Sequence, residues 1–203
     1  MDKLRKNWLQ FLAHFLSLLP LAVIAFDFTQ RRLTANPIQE ITLRTGMYSL
    51  ILLVLSLACS PLARFFGLEQ LARLRRPLGL YGFFYGALHL LNFIGLDYRF
   101  DFELLLADVG NKAHIWVGLV ALLALVPVAV TSTRGWMKRL GKSWERLHWL
   151  VYPAALLAVL HFLLLVKADY REPALYGLIV ILLLLLRLKW VKNVVLRLLK
   201  RRK

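Results

Sequence analysis

Six apolar stretches dominate the sequence: Trp8–Phe26, Ile41–Ser60, Leu78–Leu96, Ile115–Thr131, Trp149–Val166 and Pro173–Val191. A helix that crosses a bilayer needs about 20 mostly apolar residues, and each stretch lies near that length. Backbone in lipid must satisfy its own hydrogen bonds, and these lengths suit helices rather than barrel strands. The chain is 60% hydrophobic with a mean hydropathy of +0.62, where soluble domains are about 45–50% apolar. The expected fold is all-α: one integral membrane domain over residues 1–203, a bundle of six transmembrane helices. Arg187 and Lys189 interrupt the last stretch, but long basic side chains near a helix end can reach the headgroups. The first stretch follows Lys3, Arg5 and Lys6, as in a signal peptide. It is longer than a usual signal core and no small-residue cleavage pattern follows, so it reads as a retained helix.

Charge sets the expected orientation. The chain has 27 Lys and Arg against 11 Asp and Glu, a formal charge of +16. With the N-terminus inside, the inner segments hold 20 basic residues, from Lys3 through Arg64, Arg73, Arg75, Arg76 and the Arg134–Arg146 loop to the tail from Arg187. The outer segments hold seven. Positive residues favour the cytoplasmic side, so both termini are expected in the cytoplasm of a multi-pass bacterial inner-membrane protein. The tail from Lys189 suits anionic lipid headgroups. Basic charge beside a membrane span makes nucleic acid a poor partner.

Missing motifs narrow the chemistry. Cys59 is the single cysteine, so one chain cannot build a disulfide framework, a Cys-rich zinc site or an iron–sulfur cluster. No C-x-x-C-H motif occurs for covalent haem attachment. No dinucleotide fingerprint, Walker loop or G-x-S-x-G elbow appears. The sequence shows no evident internal repeat.

Histidine is then the main ionisable group inside the spans: His14, His89 and His161 lie within them, His114 and His148 at their edges. An ionisable group in a membrane is a functional hypothesis by default, although an interhelical hydrogen bond explains an isolated histidine equally well. His89 and His161 lie 11 and 12 residues into spans that run the same way. At 1.5 Å per residue both are about 17 Å from the inner edge. Two histidines at matched depth on two helices can fill both axial positions of one haem iron. Gly79, Gly82 and Gly86 precede His89 at helical spacing. They form either a flat strip for a porphyrin or a close helix-packing seam; Ala154 and Ala158 keep the face of His161 similarly small. His148, 13 residues before His161, could serve a second haem nearer the inner edge. A straight helix would set the two side chains roughly 140° apart, although Pro153 can kink it. The corresponding inner positions of the third span are Arg75 and Arg76, which cannot ligate iron but suit an anion or a propionate. His14 is a weakly placed partner for His148. His114, at the outer mouth of the fourth span, could be a spare ligand or a hydrogen-bond donor at the electron exit, but reads first as a capping or interfacial residue. One haem is expected, with a second, incomplete inner site.

Several runs carry a resemblance: Arg75-Arg-Pro-Leu-Gly-Leu80 leading to His89, Asn111-Lys-Ala-His114, Thr131-Ser-Thr133, and Trp144-Glu-Arg-Leu-His148-Trp-Leu-Val-Tyr-Pro153 leading to His161. Over nearly the whole chain the sequence resembles the MsrQ (YedZ) family, a branch of the ferric reductase-like transmembrane superfamily. The resemblance implies a haem-binding membrane subunit that carries b-type haem, with FMN also associated. It would take electrons from the quinone pool and deliver them to a periplasmic molybdopterin enzyme that reduces methionine sulfoxide in damaged proteins. By motif match, the haem ligands are His89, His148 and His161. No FMN motif is visible. Without a nucleophile–base constellation, the chain reads as the electron-transfer subunit rather than the catalytic one. A ferric or cupric reductase would normally need a nicotinamide–flavin domain. A small transporter often uses membrane-embedded acids, and these spans have no central Asp or Glu.

Overall fold

The computed structural model describes residues 2–110 and 112–188, with side chains from residue 8 onward. Among the described residues there are ten helices and one π-helical segment, and no strand. Five helices are long and apolar enough to cross a membrane: Trp8–Thr29, Pro37–Phe66, Glu69–Asp97, Ala113–Val130 and Lys142–Leu165. They cover the first five sequence-derived spans to within one residue. The sixth appears as the 15-residue helix Arg171–Leu185, which stops earlier than the expected span: Leu186 is its C-cap and the chain turns over Leu186–Leu188. Residues 189–191 of that span and the basic tail from Lys189 lie outside the described residues. The chain is an all-α membrane protein.

The helix ends follow local chemistry. Helix α1 covers Asp2–Thr29. Helix α2, Pro37–Phe66, begins where the Asn36 side chain accepts a hydrogen bond from the Gln39 N–H, with Pro37 at its first turn, and stops at left-handed Gly67. These are the usual start and stop signals of a helix. After the single turn α3, Glu69–Ala72, helix α4 runs over Arg75–Asn92 and widens into the π-helical turn Phe93–Asp97. Helix α5, Phe102–Val109, is capped by the Asp101 carboxylate at Leu104 N–H. Helix α6 spans Ala113–Val130. Two short helices follow, α7 over Arg134–Leu140 and α8 over Lys142–His148, divided at Gly141 with its positive φ of 50°. Helix α9 covers Val151–Leu165 and α10 covers Arg171–Leu185. The break between α8 and α9 falls at Trp149–Leu150, so Pro153 occupies the first turn of α9, where its missing N–H costs little.

Two antiparallel pairs, α2 with α4 and α6 with α9, make the most extensive helix contacts. Leu50, Leu53, Val54 and Leu57 of α2, Leu125 of α6, Ala154, Ala155 and Val159 of α9, and Val180 and Leu183 of α10 form the core between them. Leu, Phe and Ile side chains are exposed along the outer faces of α1, α6 and α10, as expected of surfaces that meet lipid.

Helix α1 packs through Ala13 against Cys59 and Leu74 and pairs Asp27 with Arg44 of α2, and a buried phenol of α4 enters its backbone. Pro20 lies within α1 and disturbs its hydrogen-bond ladder. The Tyr85 hydroxyl of α4 enters the same turn: it donates to Ser17 O at 2.8 Å and accepts from Leu21 N–H at 3.1 Å. Those two backbone groups would otherwise pair with each other across an i to i+4 turn. Tyr85 is fully buried, and its phenol thus satisfies both while fixing α1 to α4.

Candidate functional site

His89 on α4 and His161 on α9 face each other with ring centres 6.0 Å apart and planes at 83°. An imidazole nitrogen binds a transition metal at about 2 Å, and the ring centre lies roughly one bond length beyond it. Two imidazoles that clamp one metal from opposite sides therefore have centres roughly 6 Å apart. The spacing fits that arrangement.

Each ring is also fixed by a hydrogen bond to backbone. His89 Nδ1 lies 2.8 Å from Thr42 O of α2, and His161 Nδ1 lies 2.6 Å from His114 O of α6. A carbonyl accepts, so Nδ1 of each ring carries the proton and Nε2 keeps its lone pair free for a metal. Glycine backs each ring: a methyl group on Gly46 would stand 2.9 Å from His89 Nδ1, and one on Gly118 only 2.6 Å from His161 Nδ1. Both rings are half-buried.

The two settings are copies of one device. In each, the accepting carbonyl lies 47 residues before its histidine, and the backing glycine lies one turn after the carbonyl. The α2/α4 and α6/α9 pairs thus form an internal repeat that the sequence did not reveal. In this register His148 of the second copy corresponds to Arg76 of the first, each 13 residues before its ring.

The basic end of the bundle is built differently. A cavity of about 1080 Å³ opens there, lined among others by His14, Tyr81, Arg75, Arg76, His148 and Arg187. His148 Nε2 lies 3.1 Å from Thr131 Oγ1, and Trp144 stacks on the ring at 3.9 Å while its indole N–H donates to Thr131 O. His148 is therefore fixed through the nitrogen that His89 and His161 leave free. His14 Nδ1 lies 3.1 Å from the Tyr81 hydroxyl. Arg75 donates to Ser60 Oγ at 3.2 Å, and Arg76 lies against the Met137 sulfur. Among the described residues no group of three or more His, Cys, Asp or Glu side chains is assembled for a bare metal ion. The donor set is two imidazoles, which suits a metal that brings its remaining ligands with it.

A family model described as the ferric reductase like transmembrane component matches residues 45–159. The protein-methionine-sulfoxide reductase heme-binding subunit MsrQ of Xanthomonas axonopodis pv. citri is 45% identical over 179 residues, covering 85% of this chain and 82% of that one. The MsrQ of Rhodospirillum rubrum is 50% identical over 172 residues, 84% and 83% of the two chains. That of Xanthomonas campestris pv. campestris (strain 8004) is 47% identical over 177 residues, 84% and 81%. The chain belongs to the MsrQ family. No solved structure matches it.

In this MsrQ chain the glycine strip of α4 takes the packing role. A methyl group on Gly82 would stand 3.2 Å from Leu53 N and 3.3 Å from Ser49 O, and Ser49 Oγ donates to Gly82 O at 2.8 Å. One on Gly86 would meet Leu122 and Ser49 at 3.1 Å, and one on Gly79 would meet Ser56 Oγ at 3.1 Å. Helix α2 thus packs directly on Gly82, the second of the two roles the glycine spacing allowed: the small residues let two helix backbones approach. Gly86 lies in the same seam, bounded by α6 as well. The sequence reading missed the Thr42 carbonyl, Gly46 and Gly118. It considered only the side chain of His114, whereas the His114 carbonyl holds His161 and its ring centre lies 6.0 Å from that of His161. The equal spacings were the available signal.

Proposed function

We propose that this chain is the haem-binding, electron-carrying membrane subunit of a protein-methionine-sulfoxide reductase system, with His89 and His161 as the axial ligands of one b-type haem. The observation that carries this reading is the opposed imidazole pair, with both Nδ1 atoms tied to carbonyls and both Nε2 atoms free. Bound there, the haem supplies one-electron redox chemistry. The chain supplies the two ligands, their orientation and a low-dielectric surround. MsrQ relatives named as heme-binding subunits of a protein-methionine-sulfoxide reductase support the haem-binding part of this reading.

The finer reading extends to both faces of the membrane. Both termini lie in the cytoplasm of a bacterial inner membrane, by the 20-to-7 division of basic residues. The acceptor is a periplasmic molybdopterin-containing methionine sulfoxide reductase, docking at the acidic end beside Asp97–Asp108. The donor is a quinol reaching the basic-end cavity. His148 and the His14–Tyr81 pair offer that cavity groups able to accept protons. Arg75 and Arg76 give an anionic flavin such as FMN, or a haem propionate, a charge complement. His148 is the remaining ligand for a second, incomplete haem site.

The test is the spectrum of the purified protein. Material from haem-replete cells should be red, with a six-coordinate low-spin haem spectrum, reducible by a quinol analogue and reoxidised by the partner enzyme. A colourless preparation would contradict the proposal.

A further inference from the structure

Arg187 follows the end of α10, where a snorkelling side chain would turn outward to the headgroups. Instead it turns into the bundle. Its Nη1 donates to the Tyr152 hydroxyl at 2.9 Å, its Nη2 to Leu57 O at 2.7 Å, and its guanidinium carbon lies 5.0 Å from the centre of the Tyr152 ring. Its Nε–H is buried and has no partner. Among the described residues the ion pairs are Arg44–Asp27, Arg44–Glu40 and Lys112–Asp108, so no described carboxylate answers the charge of Arg187. The two acceptors that hold the guanidinium are neutral. The side chain is partly buried, facing the cavity, with its Nε sealed off. A partly desolvated cation without an anion is costly, and charged groups facing an interior cavity of a membrane protein usually mark ligand positions.

The cavity beside it calls for the same partner. Arg187 shares the wall with Arg73, Arg75 and Arg76, against the single carboxylate of Glu145. Tyr81, Phe84, Trp144, Trp149 and Tyr152 supply aromatic surface. At about 1080 Å³ the space matches the upper range of small-molecule sites, roughly 1,000 Å³. Arginine recognises carboxylates and phosphates through its planar fork, and aromatic walls accept a flat conjugated ring.

We propose that Arg187 is the anion-binding residue of the basic-end cavity, pairing with a carboxylate or phosphate carried by a planar conjugated ligand. The proposal deepens the functional reading above and rests on it only for what such a ligand does. The anion site itself follows from Arg187 and the cavity.

The test compares charged and uncharged forms of two probes on the purified full chain: FMN against riboflavin, followed by flavin fluorescence, and haemin against its dimethyl ester, followed by visible absorption. The chain is used as wild type, Arg187→Lys and Arg187→Gln. In at least one probe pair the wild type should prefer the charged form by about tenfold or more, the worth of a charge-assisted hydrogen bond. Arg187→Lys should keep most of that preference. Arg187→Gln should lose it while binding of the uncharged form stays nearly constant. Preference confined to the flavin pair identifies a phosphate as the anion, and preference confined to the haemin pair a carboxylate. Equal binding of charged and uncharged forms by the wild type, or a preference that survives Arg187→Gln, would overturn the proposal. Loss of haem from the His89–His161 pair would instead count against the functional reading, since the flavin arm does not depend on it.

Discussion

His161 Nδ1 is held by the His114 carbonyl at 2.6 Å, as His89 Nδ1 is held by the Thr42 carbonyl at 2.8 Å. The two imidazoles are thus set by backbone on the neighbouring helix of each pair, and that support is testable apart from the rings themselves. Gly118→Ala places a methyl group 2.6 Å from His161 Nδ1, and Gly46→Ala places one 2.9 Å from His89 Nδ1. Both should lower haem retention through purification, Gly118→Ala more severely. His114→Ala keeps the carbonyl and should leave the visible spectrum nearly unchanged. Haem content by pyridine haemochrome assay reads all three.

Arg76 occupies the repeat position of His148. Arg76→His should therefore supply a second imidazole at the basic end and raise the haem-to-protein ratio toward two. Arg75→His lies one residue out of register and should not. Equal ratios in the two variants would show that the repeat does not govern the basic end.

Tyr85 satisfies two backbone groups of α1 in the turn around Pro20. Tyr85→Phe keeps the ring and removes both hydrogen bonds. The two backbone groups can then pair with each other, so the loss is that of the interhelix hydrogen bonds, about 0.5–1.5 kcal/mol each, and detergent-solubilised Tyr85→Phe should unfold at lower temperature than wild type. Tyr81→Phe, which removes only the contact with His14, should shift the melt less.

Reporter fusions after Arg76 and after Lys142 should score cytoplasmic, and fusions near Asn36 and Asp101 periplasmic. The basic-residue division predicts this pattern. A periplasmic score at Arg76 would reverse the orientation.

At the acidic end the Asp108 carboxyl is held below the usual carboxylate range, first by its hydrogen bond from Lys112 and then by that from Tyr98. A depressed carboxyl contributes stability above its unfolded value and loses it as pH falls through the folded value. The contact between Tyr98 and α5 should therefore persist into acid below the ordinary Asp range and then loosen. Hydrogen exchange of residues 98–109 across that range should show the step, and Asp108→Asn should abolish it. The group is well exposed, so global stability should change little.

Much of this was legible from one sequence. Hydropathy located five spans because lipid imposes length and composition directly, and matched depth singled out His89 and His161. The helices outrun the apolar stretches where Asn36, Pro37 and Gly67 set their own boundaries. The second layer of the site was not legible because Thr42 and His114 act through backbone carbonyls, which any residue carries. Gly46 and Gly118 act by having no side chain, which composition cannot distinguish from a loose helix. Arg187 read as a snorkelling cation because hydropathy gives depth along a helix but not which face turns inward.

The most direct test of the account is haem content and electron paramagnetic resonance on wild type, His89→Ala, His161→Ala and His148→Ala, purified in parallel. The account predicts a low-spin six-coordinate signal in wild type, its loss in both His89→Ala and His161→Ala, and its survival in His148→Ala. A full low-spin signal in either His89→Ala or His161→Ala would contradict it.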